Sequence, residues 1–149
     1  MKLLSKLRSS KGQSLVELSV TLPILLILVF GIIDFGLGMR SYISLSNAVR
    51  EGARFASVGN PAGEPSDCDG VTNDTVYGRV CITTGGLDLT ELTPSVTYPS
   101  GVGPGNSVIV AADYTYNFVT PLGDLLDFFS GGTFPTTISL SSSTDMRLE

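Results

Sequence analysis

Residues 11–39 read KGQSLVELSVTLPILLILVFGIIDFGLGM, and the fold turns on this stretch. No charge interrupts it between Glu17 and Asp34. Residues 18–33 alone would make about 24 Å of helix at 1.5 Å per residue, a little short of a bilayer. With Asp34 at the outer boundary the run extends to Met39 and reaches roughly 33 Å, enough to span. Pro23 removes one backbone hydrogen bond and is expected to kink or loosen this half. A secretory signal peptide shares the basic start and the apolar run. Against it stand Glu17 at the head of the run and the lack of a clear small-x-small site after an ordinary h-region.

The helical pattern does not stop with the apolar run. Residues 41–58, SYISLSNAVREGARFASV, place Leu45, Ala48, Val49, Gly52, Phe55 and Ala56 on one face and Asn47, Arg50, Glu51 and Arg54 on the other. One continuous helix is therefore expected from about Ser14 to Ser57, with Gly59, Asn60 and Pro61 ending it. Beyond it, residues 60–74 read as an ordered loop. Residues 77–83 and 95–98 are expected as short strands, and 107–119 is the clearest strand, with Val108, Val110, Ala112, Tyr114, Tyr116 and Phe118 on one side. Residues 122–129 suit a short helix or apolar turn, and 136–148 alternate again. The fold class is thus α+β: a long N-terminal helix, membrane-spanning at about 18–39 and amphipathic at 40–57, then a small antiparallel sheet packed on the helix end. The expected organisation is a leader at 1–12, the helix at 13–57 and an outer β domain at 58–149.

Charge sets the expected orientation. Of nine basic residues, Lys2, Lys6, Arg8 and Lys11 fall in the first dozen positions, where none of the fourteen acidic residues lies. Short basic flanks stay cytoplasmic, so the acidic remainder is expected outside the cytoplasm, and nucleic acid, which needs basic patches on the folded part, is excluded as a partner. In an oxidising compartment Cys68 and Cys81, 13 residues apart, are expected to pair, although two separate thiols would also fit the sequence. With no His and no CxxC, a zinc site lacks its usual ligands, and no metal or other cofactor is expected. The same composition offers no nucleophile and base pair, so neither catalysis nor a small-molecule substrate is expected. The loop acids Asp67, Asp69 and Asp74 could hold Ca²⁺ but do not follow the EF-hand spacing and read more simply as a solvated turn.

The segment Lys11-Gly12-Gln13-Ser14-Leu15-Val16-Glu17 carries the sharpest chemical signal. It resembles a class III prepilin signal: a basic leader, Gly before the scissile bond, and Glu five residues after it. Gly allows a peptidase to approach the backbone closely. A carboxylate at the edge of an apolar helix is costly unless paired or able to reach the headgroups, so Glu17 either meets a cation or snorkels. The stretch 23–35 followed by Asn47-Ala48-Val49-Arg50-Glu51-Gly52-Ala53-Arg54-Phe55-Ala56 is similar to the TadE-like family. Residues 104–122 and the terminal Met146-Arg147-Leu148-Glu149 resemble it more loosely. Leu18 departs from the aromatic often found after the Glu in that family.

The resemblance implies a minor pseudopilin of the tight-adherence pilus, cut by a prepilin peptidase between Gly12 and Gln13. It would be anchored in the bacterial inner membrane, N-terminus inside, and could be incorporated into the fibre. Its partners would be the peptidase, other pilins and pseudopilins, the assembly platform and membrane lipid. Glu17 would meet the new amine at Gln13 of a neighbouring subunit. Arg50, Glu51 and Arg54 are either a partner contact or an ordinary solvated helix face. The alternatives are an uncleaved anchored accessory protein, whose outer domain binds a partner or polysaccharide, and a soluble domain released by signal peptidase.

Overall fold

The structure is a computed structural model that describes residues 10–132 and 135–149. The leader residues Lys2, Lys6 and Arg8 lie outside the described residues. The first helix, α1, runs from Ser10 to Ser57 without interruption and includes Pro23. It begins earlier than the Ser14 expected from periodicity. It ends where Gly59, at φ 83°, turns back and donates its N–H to the Ala56 carbonyl at 3.0 Å. The Asn60 side chain caps the Phe55 carbonyl at 2.8 Å. A positive φ at this point is what glycine supplies without steric cost.

By its contacts the chain divides into two units, one formed by Met1–Phe35 with Phe118–Pro135, the other by Gly36–Asn117 with Thr136–Glu149. In the second unit, a three-stranded antiparallel sheet has the order β1 (Leu92–Thr97), β2 (Ser107–Asn117), β3 (Thr137–Arg147). Register pairs Val96 with Val110 and Tyr114 with Leu140. Pro94 lies on β1, at the sheet edge, where its missing N–H is tolerated. Val108, Val110, Ala112 and Tyr116 of β2 are buried, as the alternation requires. Val108, Val110 and Ala112 share a core with Leu45, Ala48, Val49, Ala53 and Ala56 of α1, so the amphipathic helix end covers the apolar face of the sheet.

The expected strand at 77–83 is instead a helix, α2 (Val76–Thr83). Thr75 caps it, its hydroxyl accepting from the Gly78 N–H at 3.2 Å. Gly78 is needed there because a Cβ would run into the Thr72 carbonyl. Helical spacing then places Val76 and Val80 one turn apart, both fully buried in the core. The β-branched content of this stretch suggested a strand; the cap and the core contacts outweigh that weak preference. The Ser44 hydroxyl of α1 donates to the Thr84 carbonyl at the end of α2. After β3, the Glu149 N–H donates to the Ser57 carbonyl at 2.9 Å.

In the first unit, residues 122–130 form the short helix α3 (Leu122–Ser130). The strand before it is two residues shorter than expected. It stops at Asn117, and the backbone of Val119 turns to a partner on α1.

Candidate functional site

Gly12 and Gln13 fall in the opening turn of α1, three and four residues into the helix. N–H groups in a first turn have no partner within the helix, so this turn is the easiest to unwind into the extended form a peptidase reads. Among the described residues, a Cβ at Gly12 would meet no atom within 4 Å, so their packing gives no reason for glycine here. Glu17 is exposed one turn beyond Gln13, and among the described residues no cation pairs with it.

The apolar side chains that follow, among them Leu18, Ile24, Leu25, Leu28 and Ile32, are exposed. The helix is long and apolar enough to cross a membrane. Two hydroxyls of this apolar stretch are satisfied within it, Ser19 donating to the Val16 carbonyl and Thr21 to the Glu17 carbonyl, both at 2.8 Å. Such bonds suit a helix in hydrocarbon, where no water would satisfy them.

Asp34 has a function that sequence reasoning missed. Read as a charge merely tolerated at a boundary, it is 2% exposed. One carboxylate oxygen accepts the backbone N–H groups of Val119 at 2.9 Å and Thr120 at 3.3 Å, and the other accepts the Thr120 hydroxyl. Its partners lie 85 and 86 residues away in sequence, so no local signal announces them. The sequence Thr120-Pro121-Leu122 that begins α3 thus has a mechanical role: it closes over an aspartate of the apolar helix.

Arg50 is exposed, whereas Glu51 and Arg54 form a bidentate pair, with Arg54 Nη2 at 2.8 Å and Nε at 2.9 Å from the two carboxylate oxygens. A third member comes from α2. Arg79 donates to Glu51 Oε1 through Nη2 at 2.9 Å and lies over the Phe55 ring, 5.6 Å from its centre. Hydrogen bonds from Arg54, then Arg79, hold the Glu51 carboxyl down at about 2 from an ordinary 4.5. Between them Gly52 is buried, where a Cβ would strike Val80 and come within 3.4 Å of Val110. The motif residues Glu51 and Gly52 therefore join α1 to the rest of the second unit, while Arg50 faces solvent.

Cys68 and Cys81 stand at disulfide distance, their Cα atoms 5.3 Å apart. The acidic loop beside them folds on itself. Asp69 accepts from the N–H groups of Val71 and Thr72 and from the Thr72 hydroxyl, bonds that depress its pKa. Asp67 accepts the Glu64 N–H at 3.0 Å. Among the described residues no group of three or more His, Cys, Asp or Glu side chains converges to hold a metal.

These features define an α+β protein led by one long apolar helix of membrane-spanning length. Within that class, the family model described as TadE-like protein matches residues 12–54 of this chain. The matched segment contains Gly12, Gln13, Glu17, Asp34, Arg50, Glu51, Gly52 and Arg54, and bears out the similarity read from the sequence within those bounds; the looser resemblance at 104–122 and 146–149 lies outside it. It supports a pilus-associated protein with a membrane anchor. Among curated proteins and among solved structures, nothing matches the chain.

Proposed function

We propose that this chain is a minor pseudopilin, cut by a prepilin peptidase after Gly12 and required to assemble or export a tight-adherence pilus. The observation that carries the reading is the contrast between a glycine that packing does not require and its position before an exposed apolar helix. The leader stays in the cytoplasm of a bacterial inner membrane, α1 crosses it, and the outer fold, braced by a Cys68–Cys81 disulfide, is presented on the far side to other pilins and the assembly platform. In a bundle of parallel helices, Glu17 of one subunit meets the new amine at Gln13 of the next. Arg50, exposed beside the Glu51 cluster, is the part of that motif left to contact a partner.

The test is N-terminal sequencing and intact mass of detergent-extracted protein. A chain beginning at Gln13 is expected. Retention of Met1 would instead identify an uncleaved anchored accessory protein, and recovery from the medium without detergent a released domain.

A further inference from the structure

We infer that α3 is a second membrane contact: it lies along the outer surface of the bilayer that α1 crosses, at the boundary between headgroups and acyl chains, and Asp34 fastens it there. The inference rests on the reading of α1 as membrane-spanning and adds a lipid contact at a defined depth. Depth comes first. Along α1 the rise from Gln13 to Asp34 is about 32 Å, close to the roughly 30 Å of a hydrocarbon core. With Gln13 at the inner boundary, Asp34 reaches the outer one, a placement of the span at 13–34 in place of the 18–39 expected from the apolar run. The carboxylate of Asp34 accepts two backbone N–H groups and one hydroxyl from residues 119 and 120, so it fixes that backbone at its own level. Residue 122 opens α3, and the Leu125 N–H reaches back to the Pro121 carbonyl at 3.0 Å. The helix therefore begins at the depth of Asp34.

Its chemistry suits that depth. Leu122 is buried and Leu125 and Leu126 are half-buried, so these side chains hold α3 to its own unit, while Phe128, on the side of Asp124, is left open. Nine residues, about 13 Å, are too few to span and enough to lie flat. Phe128 is 82% exposed, Val119 71%, and Phe35, next to Asp34 on α1, 73%. Val119 and Phe35 are thus accessible beside Asp34, and Phe128 is accessible on the helix that starts there. Residues 118–135 contain no Lys or Arg, so binding through anionic headgroups is not available and apolar insertion is.

The experiment uses the full chain, oxidised, in vesicles of phosphatidylcholine alone. A nitroxide is attached in turn through Phe128→Cys, Val71→Cys and Leu25→Cys. Val71 is the aqueous control, since it is also 82% exposed but lies in the loop of the second unit. Relaxation by oxygen, which partitions into lipid, is compared with relaxation by a water-soluble nickel chelate. The expected result is a deep lipid reading at 25, an aqueous one at 71 and a shallow lipid one at 128, with the oxygen-to-nickel ratio at 128 at least twice that at 71. Asp34→Ala should bring 128 toward the value at 71 and leave 25 unchanged. An aqueous reading at 128 with 25 in lipid overturns the inference alone. Aqueous readings at both positions overturn the spanning helix and the inference with it. A lipid reading at 128 that Asp34→Ala does not alter removes Asp34 as the fastening.

Discussion

Arg79 and Glu51, 28 residues apart in sequence, are joined by two hydrogen bonds to a single carboxylate oxygen, from Nη2 at 2.9 Å and from Nε at 3.3 Å. The bond links α2 to α1 at the charged motif of the long helix, and Arg54 completes the cluster from the next turn. A residue of an apparently solvated helix face is thereby committed to the fold.

The first prediction follows from the sign of the Glu51 shift. A carboxyl with a folded pKa of about 2 against an ordinary 4.5 stabilises the folded state above the higher value. That contribution fades as pH falls from 4.5 toward 2. The cluster is partly open to water, so its size should be about 1 kcal/mol or less. Denaturant melts in detergent should show Glu51→Gln weaker than the parent at pH 7, with a gap that narrows as pH falls below 4.5 and is much reduced near pH 2. A gap that is the same at both pH values would mean that the ion pair does not form.

Gly52→Ala should destabilise the second unit by roughly 1–3 kcal/mol, the usual cost of forcing an extra methyl into a filled core. The displaced atom would be Val80 Cγ2. Shortening that neighbour should recover part of the loss, so the double variant Gly52→Ala/Val80→Ala is expected to be less unstable than the sum of the two single changes. Simple additivity in unfolding midpoints would argue against the close approach.

Cys68 and Cys81 should be found oxidised in cells, and denatured protein that has not been reduced should take up no alkylating label. Closing a loop of this length stabilises by about 3 kcal/mol in the chain-entropy model. Reduced protein should therefore unfold at lower denaturant. Full labelling of both thiols without reductant would refute the pairing.

Glu17→Val should leave insertion and cleavage intact and abolish pili. An unpaired carboxylate near the head of an apolar helix is unfavourable by about 2–3 kcal/mol, so valine should stabilise the inserted helix. Complementation scored for membrane level, mobility and surface pili separates the roles. Wild-type pili would remove Glu17 from assembly, and loss of the protein would assign it to insertion or processing.

What could be read from the sequence was whatever repeats or lies close together along it. The covered face of α1, from Leu45 to Ala56, and the buried side of β2 follow from spacing alone, as does the adjacency of Gly12, Gln13 and Glu17. The helix α2 was hidden because Val76, Val80 and Ile82 favour strand locally, and the deciding contacts, Thr75 to Gly78 and Gly78 against the Thr72 carbonyl, depend on a turn whose geometry composition does not specify. Asp34 and Arg79 escaped for a different reason. Each acquires its role from a partner brought near only by folding, and a charge in a sequence carries no sign of where its partner will be.

The glycines at 12 and 52 answer to separate demands. A methyl added at the first meets open space, and at the second it meets Val80. A mutational library sorted only for abundance in the membrane should accept many residues at 12 and few at 52. The same library sorted for piliation should become restrictive at both. Comparing the two selections would divide the matched segment into positions that maintain the molecule and positions that let other proteins act on it, with no need for a structure of the assembled fibre.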